Sequence, residues 1–153
     1  QRTQIIQDGV VLEPVHNSYT AGKDGKQSTG HQYTFTGPPV ASNLFMKSGD
    51  SSLEKMISST QRGLYITRFH YTRVVHNRNC VMTGMTRDGT FLIENGHLTH
   101  PVKDLRFTQS YVEALAEVES VGSQSKLMLN EVGFATKVPA LKISRFNFTG
   151  VTV

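Results

Sequence analysis

Leu64-Tyr65-Ile66-Thr67-Arg68-Phe69-His70-Tyr71-Thr72-Arg73-Val74-Val75 is a run of β-branched and aromatic residues, the composition of a strand on a half-buried sheet. Strand side chains alternate between faces. Tyr65, Thr67, Phe69, Tyr71 and Arg73 are therefore expected on one face, and Leu64, Ile66, Arg68 and His70 on the other. Working outward, Val81-Met82-Thr83 and Phe91-Leu92-Ile93 read as a hairpin turning near Arg87-Asp88-Gly89, and Asn95-Gly96 turns the chain again. Pro101 to Phe107 reads as the next strand, and Ala140 to Phe148 as the last, by clean period-2 alternation. Near the start, Gln4–Gln7 and Val10–Leu12 flank Asp8-Gly9, which supplies the positive φ values of a two-residue primed turn.

Two helices interrupt the strands. Ser51-x-x-Glu54 is a capping-box pattern, with Leu53, Met56 and Ile57 on one face and a stop at Thr60 and Gly63. Ser110-x-x-Glu113 opens the second, which turns Val112, Leu115 and Val118 or its neighbours inward and ends at Gly122. Ser18–Gly30 is rich in Gly, Ser and Lys and reads as an exposed loop, either a linker or a lid. Tyr33-Thr34-Phe35 reads as a short strand closed by Gly37-Pro38-Pro39, while Ser123–Lys137 is ambiguous. The expected fold class is α+β: predominantly antiparallel β, a twisted or barrel-like sheet, with two packing helices. Ile5–Val15 and Leu92–Val102 echo one another, a likeness that shared hairpin chemistry explains.

The chain has 153 residues, the size of one domain. Its 37% hydrophobic content suffices for one core, and its net charge of +4 is far below the clustered basic density of a dedicated DNA binder. No apolar run approaches the 18 or so residues that cross a bilayer, and no secretory leader pattern opens the chain. Membrane association is not expected. The first residue is Gln, and the chain reads as a piece of something longer. One cysteine excludes an intramolecular disulfide and a multi-cysteine zinc module, which suits a reducing, cytoplasmic setting.

Six histidines raise the question of metal. His70 and His76 are six apart, and His97 and His100 three apart, which on a strand sends them to opposite faces. No His-Glu-x-x-His motif occurs, so no metal site is expected. Cys80 reads as a small, half-buried strand residue, since a nucleophilic thiol needs a lowered pKa and a base. No Gly-rich phosphate cradle leads into a helix. Arg68, His70 and Arg73 could meet a peptide carboxylate or a phosphate, with Tyr71 as a stacking wall; the same residues also suit an ordinary strand with a solvated face.

A wider pattern runs along the chain: Ile6-Gln7-Asp8-Gly9-Val10, Tyr19-Thr20-Ala21, Thr29-Gly30-His31, Asn43-Leu44 with Gly49-Asp50, and Arg62-Gly63-Leu64-Tyr65-Ile66-Thr67. Thr83-Gly84, Phe91-Leu92-Ile93-Glu94-Asn95-Gly96, Pro101-Val102-Lys103 and Val138-Pro139-Ala140-Leu141-Lys142-Ile143 complete it. In this order they resemble the C-terminal portion of the TldD/PmbA (TldD/TldE) family of peptidases. The resemblance implies that residues 1–153 form the C-terminal domain of a two-part protein that dimerises around a peptide-binding chamber. It further implies a zinc site in the metal-bearing subunit, built by a His-Glu-x-x-x-His helix upstream of this region and a late cysteine. No cysteine follows Cys80, so the resemblance points to the PmbA/TldE-type, metal-less subunit, inactive alone. Zinc is then expected only in a partner subunit.

The expected function is to bind extended or unfolded peptide and complete the chamber in which a TldD-type partner, in a homo- or heterodimer, carries out proteolysis. No catalytic residue is assigned. The candidate peptide-binding residues are His31, Asn43, Arg68, His70, Tyr71 and Arg73. The alternative is a non-enzymatic interaction module, serving dimerisation or a role like that of a DNA gyrase modulator, although nucleic acid is not the expected partner.

Overall fold

A computed structural model describes residues 2–129 and 134–151. Its elements in chain order are β1 (Ile6–Gln7), β2 (Val10–Val11), α1 (Ser18–Lys23), β3 (Leu44–Phe45), α2 (Leu53–Ser58), β4 (Arg62–His76) and β5 (Val81–Glu94). There follow β6 (His97–Pro101), β7 (Leu105–Ser110), α3 (Tyr111–Ala116), β8 (Val118–Leu129), β9 (Ala135–Ile143) and β10 (Phe148–Val151). The pairing is mostly antiparallel and the class is α+β, with three short helices among the described residues where two were expected. The largest sheet has the open order β10-β7-β5-β4, with β6 also on β5, and does not close into a barrel. The chain divides into two compact units, Gln1–Met46 with Lys126–Val138 and Lys47–Ser125 with Pro139–Val153, the division falling inside β8 and β9.

In the first unit, Asp8 and Gly9 take φ values of 50° and 79°. They close the expected hairpin, with Ile6 opposite Val11 and Gln7 opposite Val10. The 18–30 segment departs from the expected loop, because it begins with α1. The Asn17 side chain accepts from the Thr20 amide at 2.8 Å, and the Thr20 hydroxyl accepts from the Asn17 amide at 3.2 Å. This reciprocal cap is built on Asn-x-x-Thr in place of the usual Ser/Thr-x-x-Glu. Beyond α1 the chain folds back: the His16 amide donates to the Thr29 hydroxyl at 2.7 Å, and the Thr29 amide to the His16 carbonyl at 3.1 Å. Tyr33–Phe35 is a succession of bends and turns and not a strand, with the Gly37 amide donating to the Thr34 carbonyl at 3.3 Å. β3 lies parallel to β9, Leu44 opposite Thr136.

In the second unit α2 forms as expected, but its cap is Ser52, which accepts from the Lys55 amide at 3.1 Å. Ser51 instead bridges to Gly122. β4 pairs antiparallel with β5 along nearly its whole length, from Arg62 opposite Glu94 to His76 opposite Val81. The turn that joins them, Asn77–Cys80, is the true hairpin turn, with the Cys80 amide donating to the Asn77 carbonyl at 3.1 Å. Arg87-Asp88-Gly89 therefore does not end a strand. Asp88 (φ 64°) and Gly89 (φ 131°) form a bulge inside continuous β5, because an Asx-Gly pair supplies positive φ to a bulge as readily as to a turn. Asn95 and Gly96, at 50° and 78°, make the expected turn into β6.

The strand expected at 101–107 is two strands, β6 and β7, broken at Val102–Asp104. Asp104 accounts for the break: its carboxylate accepts from the Thr86 hydroxyl at 3.1 Å and the Thr90 hydroxyl at 3.4 Å, satisfying two buried side chains. α3 starts at the expected Ser110 cap yet ends at Ala116. It buries Ala114 and leaves Val112 (62% exposed) and Leu115 (51%) outward, so the expected inward face is reversed and Val118–Gly122 belongs to β8. The ambiguous 123–137 segment resolves into the ends of β8 and β9, apart from 130–133, which lie outside the described residues. The strand expected at 140–148 stops at Ile143, and β10 resumes against β7 with Phe148 opposite Phe107.

Phe107, fully buried, centres the core of this unit. Its ring lies 4.6 Å from Phe69 and 5.4 Å from Phe146, and Phe146 in turn is 5.3 Å from Phe148. Gly84 sits opposite Phe107 on β5 and leaves room for that ring.

Candidate functional site

β4 is the last strand of its sheet, so one of its edges carries backbone groups with no strand partner among the described residues. Such an edge is a template for pairing with another extended chain. The side chains on it depend on its register. His70 pairs with Met85 and Arg73 with Thr83, so Tyr71 and Thr72 together face the single residue Gly84. This is a β-bulge with one extra residue on β4. Tyr71 occupies it with φ of 56°, a left-handed conformation that is a genuine outlier for a bulky residue.

The bulge changes which face each residue joins. Phe69, opposite Thr86, lies on the Phe107 side, and Arg68 and His70 on the other. Past the bulge Val74 pairs with Met82 and Arg73 with Thr83, and Thr83 pairs with Thr108. Arg73 therefore shares the face of Arg68 and His70, contrary to the strict alternation expected from sequence, which put it with Phe69. The extra residue brings the three cationic or titratable side chains into one row.

Several contacts hold the row. Arg68 donates through Nε to the Asp88 carboxylate, and Arg87 Nε lies 3.7 Å from the same group. The hydrogen bond from Arg68 is the main cause holding the Asp88 carboxyl below its ordinary value, and the Arg68, Arg87 and His70 charges add to it. The His70 and Tyr71 rings are 5.8 Å apart. The Arg73 guanidinium carbon stands 4.5 Å from the centre of the Tyr71 ring, and its Nη1 donates to the Thr72 carbonyl at 2.9 Å. Arg73 makes no ion pair among the described residues, and no Asp or Glu occurs from His70 to Arg87. Arg87 and Asp88 were absent from the sequence-based set, since Asp88-Gly89 reads as a turn.

His31 and Asn43 belong to the first unit. His31 is half-buried, with Nδ1 2.9 Å from the Thr29 hydroxyl and its amide donating to the His16 carbonyl at 3.4 Å. Asn43 is exposed at a bend before β3. His16, which sequence reasoning passed over, is buried beneath this loop, with Nδ1 3.3 Å from the Thr20 hydroxyl and 3.9 Å from Asp24. Cys80 corrects a further expectation: it is exposed in the Asn77–Cys80 turn, at φ of 48°, and not half-buried in a strand.

A catalytic zinc requires three protein donors. Among the described residues no group of three or more His, Cys, Asp or Glu side chains is arranged to hold an ion. His97 and His100 lie exposed on β6, and the His16–Asp24 pair has no third donor among the described residues. The residues described do not fit such a metal. No helix among the described residues is long and apolar enough to cross a membrane.

Comparison with known proteins gives a consistent picture. Residues 1–150 match the family model of the PmbA/TldA metallopeptidase C-terminal domain. A metalloprotease of Methanothermobacter thermautotrophicus is 27% identical over 138 residues, covering 88% of this chain and 29% of the relative. The crystal structure of TldE from Thermococcus kodakarensis superposes with a TM-score of 0.80 at 20% identity, over 95% of this chain and 33% of that one. A protein from Thermotoga maritima, described as a proposed modulator of a DNA gyrase, gives 0.75 at 21% identity over 95% and 32%. At these identities the two structures speak for the fold. The chain spans about a third of the length of the proteins it matches.

Proposed function

This chain belongs to the PmbA/TldA metallopeptidase C-terminal domain family, and on that premise we propose that it binds extended or unfolded peptide along the outer edge of β4. One observation carries the reading: a 15-residue strand ends the sheet, its outer edge without a strand partner among the described residues, and bears the row Arg68, His70, Tyr71 and Arg73. An extended peptide would add as a further strand, its backbone supplying affinity and its alternate side chains meeting the row. His31 and Asn43 remain candidate contacts of the first unit. The chain acts as the metal-less, PmbA/TldE-type member of the peptidase system, forming a wall of the chamber in which a TldD-type subunit, carrying the zinc, hydrolyses the peptide.

Docking against further polypeptide is supported by the first unit. Ile6, Val10, Val11, Tyr19, Phe35 and Phe45 are exposed, while Ala21 is the one buried apolar residue of this unit among those described. Exposed apolar surface on this scale marks an interaction site, and a homo- or heterodimer partner would supply its cover. The exposed thiol of Cys80 suits a reducing, cytoplasmic setting.

The test uses a labelled unstructured peptide and analogues N-methylated at successive single residues. Strand addition predicts that alternate positions lose affinity, since only every second amide faces the receiving strand. Equal binding by all analogues, or no binding at all, refutes it. Repeating the titration at two salt concentrations with a DNA duplex separates the gyrase-modulator reading, for which affinity falls steeply with salt.

A further inference from the structure

We propose that Arg73 makes the β4 edge selective for a carboxylate on the bound peptide, either an Asp or Glu side chain or a free C-terminus. The inference rests on the peptide-binding reading above and adds the chemistry of what is bound. Of the arginines in the row, Arg68 already shares Asp88 with Arg87, so its charge is answered within the protein. Arg73 has no such partner among the described residues. No acidic residue lies between His70 and Arg87, a span that also holds Arg78.

Arg73 is nonetheless held in place. Its guanidinium lies over the Tyr71 ring at 4.5 Å, and one of its N–H groups is fixed by the Thr72 carbonyl at 2.9 Å. The remaining donors form a planar fork, which matches a carboxylate through two parallel hydrogen bonds. A side chain on an added strand directly opposite Arg73 would have its Cβ about 5 Å away, within reach of that fork. The bulge completes the argument. Holding Tyr71 at φ of 56° is unfavourable for a bulky residue, yet it sets the ring beneath the guanidinium and turns Arg73 onto the Arg68–His70 face. A fork fixed in advance loses less entropy when it closes on its ligand.

The experiment measures binding of the protein to four versions of one unstructured decapeptide: Glu or Gln at a central position, each with a free or an amidated C-terminus. The free acid or the Glu peptide is expected to bind about three- to fivefold more tightly than the fully neutral version, the size of a partly exposed ion pair. Comparing the two arms tells the internal carboxylate from the terminal one. Arg73→Gln should abolish the preference, so that the four peptides bind the variant with one affinity. Arg73→Glu should invert it toward a Lys-bearing peptide. Equal affinity for all four peptides overturns the carboxylate inference and leaves strand addition standing, and a preference that survives Arg73→Gln overturns it as well. Failure of every peptide to bind removes both readings.

Discussion

Replacing Gly84 by Ala tests the geometry on which the row depends. Gly84 faces the two-residue bulge on β4 and pairs on its other side with Phe107. A Cβ added there would lie 2.8 Å from Phe107 Cε1 and Cζ and 3.1 Å from the His70 carbonyl oxygen, inside ordinary van der Waals contact on both sides. The ring has little freedom to retreat, because it is fully buried and flanked by Phe69 at 4.6 Å and Phe146 at 5.4 Å. Overpacking of this kind costs about 1–3 kcal/mol. With a urea dependence of about 2 kcal/mol per molar, the unfolding midpoint should fall by roughly 0.5–1.5 M. The chain has no Trp, so far-UV circular dichroism is the probe. Phe107→Leu removes the two ring atoms in question, and in that background Gly84→Ala should cost about 1 kcal/mol less, the coupling expected of residues in contact. An unchanged midpoint for Gly84→Ala, or the same cost in both backgrounds, would refute the close approach of glycine and ring.

Two further outcomes follow from particular contacts. The Asp88 carboxyl, held below its ordinary value chiefly by the hydrogen bond from Arg68, stabilises the fold above the unfolded carboxyl's pKa of about 4, and that contribution is lost as pH falls through the lower folded value. Asp88→Asn should therefore flatten the fall in Tm between pH 5 and pH 2.5, and parallel curves for the two proteins would count against the ion pair. Asn17→Ala removes the acceptor for the Thr20 amide and should cost about 1 kcal/mol, seen as faster hydrogen exchange over residues 18–31 with the β4–β5 amides unaffected.

The parts of the fold that were legible in sequence are those fixed by local chemistry. Asp8-Gly9 and Asn95-Gly96 turn the chain where their positive φ tolerance says they should, and Ser110 caps α3. The same tolerance misled at Asp88-Gly89, because a bulge and a turn ask the same of the backbone and only the pairing partner decides between them. That partner, β4, lies some twenty residues upstream. The face of α3 was not legible from apolar spacing, because the small Ala114 is the residue it buries, whereas Val112 and Leu115 carry more apolar surface but face outward. The cap at Asn17 uses an Asn-x-x-Thr pairing that the usual pattern does not cover, and the return of Thr29 onto His16 leaves no periodic trace. For the site, Arg68, His70, Tyr71 and Arg73 were recognisable by residue type, but the face of Arg73 was not, since no rule of alternation anticipates one residue too many.

That surplus residue has a consequence for how this strand tolerates a change of length. Deleting one of Tyr71 and Thr72 would leave a single residue opposite Gly84, with His70 still opposite Met85 and Arg73 still opposite Thr83; His70 and Arg73 would then be two apart and would still share a face. Among relatives of this protein, a one-position gap at this point in an alignment would thus mark a strand that has shed its left-handed residue and kept the order of its faces.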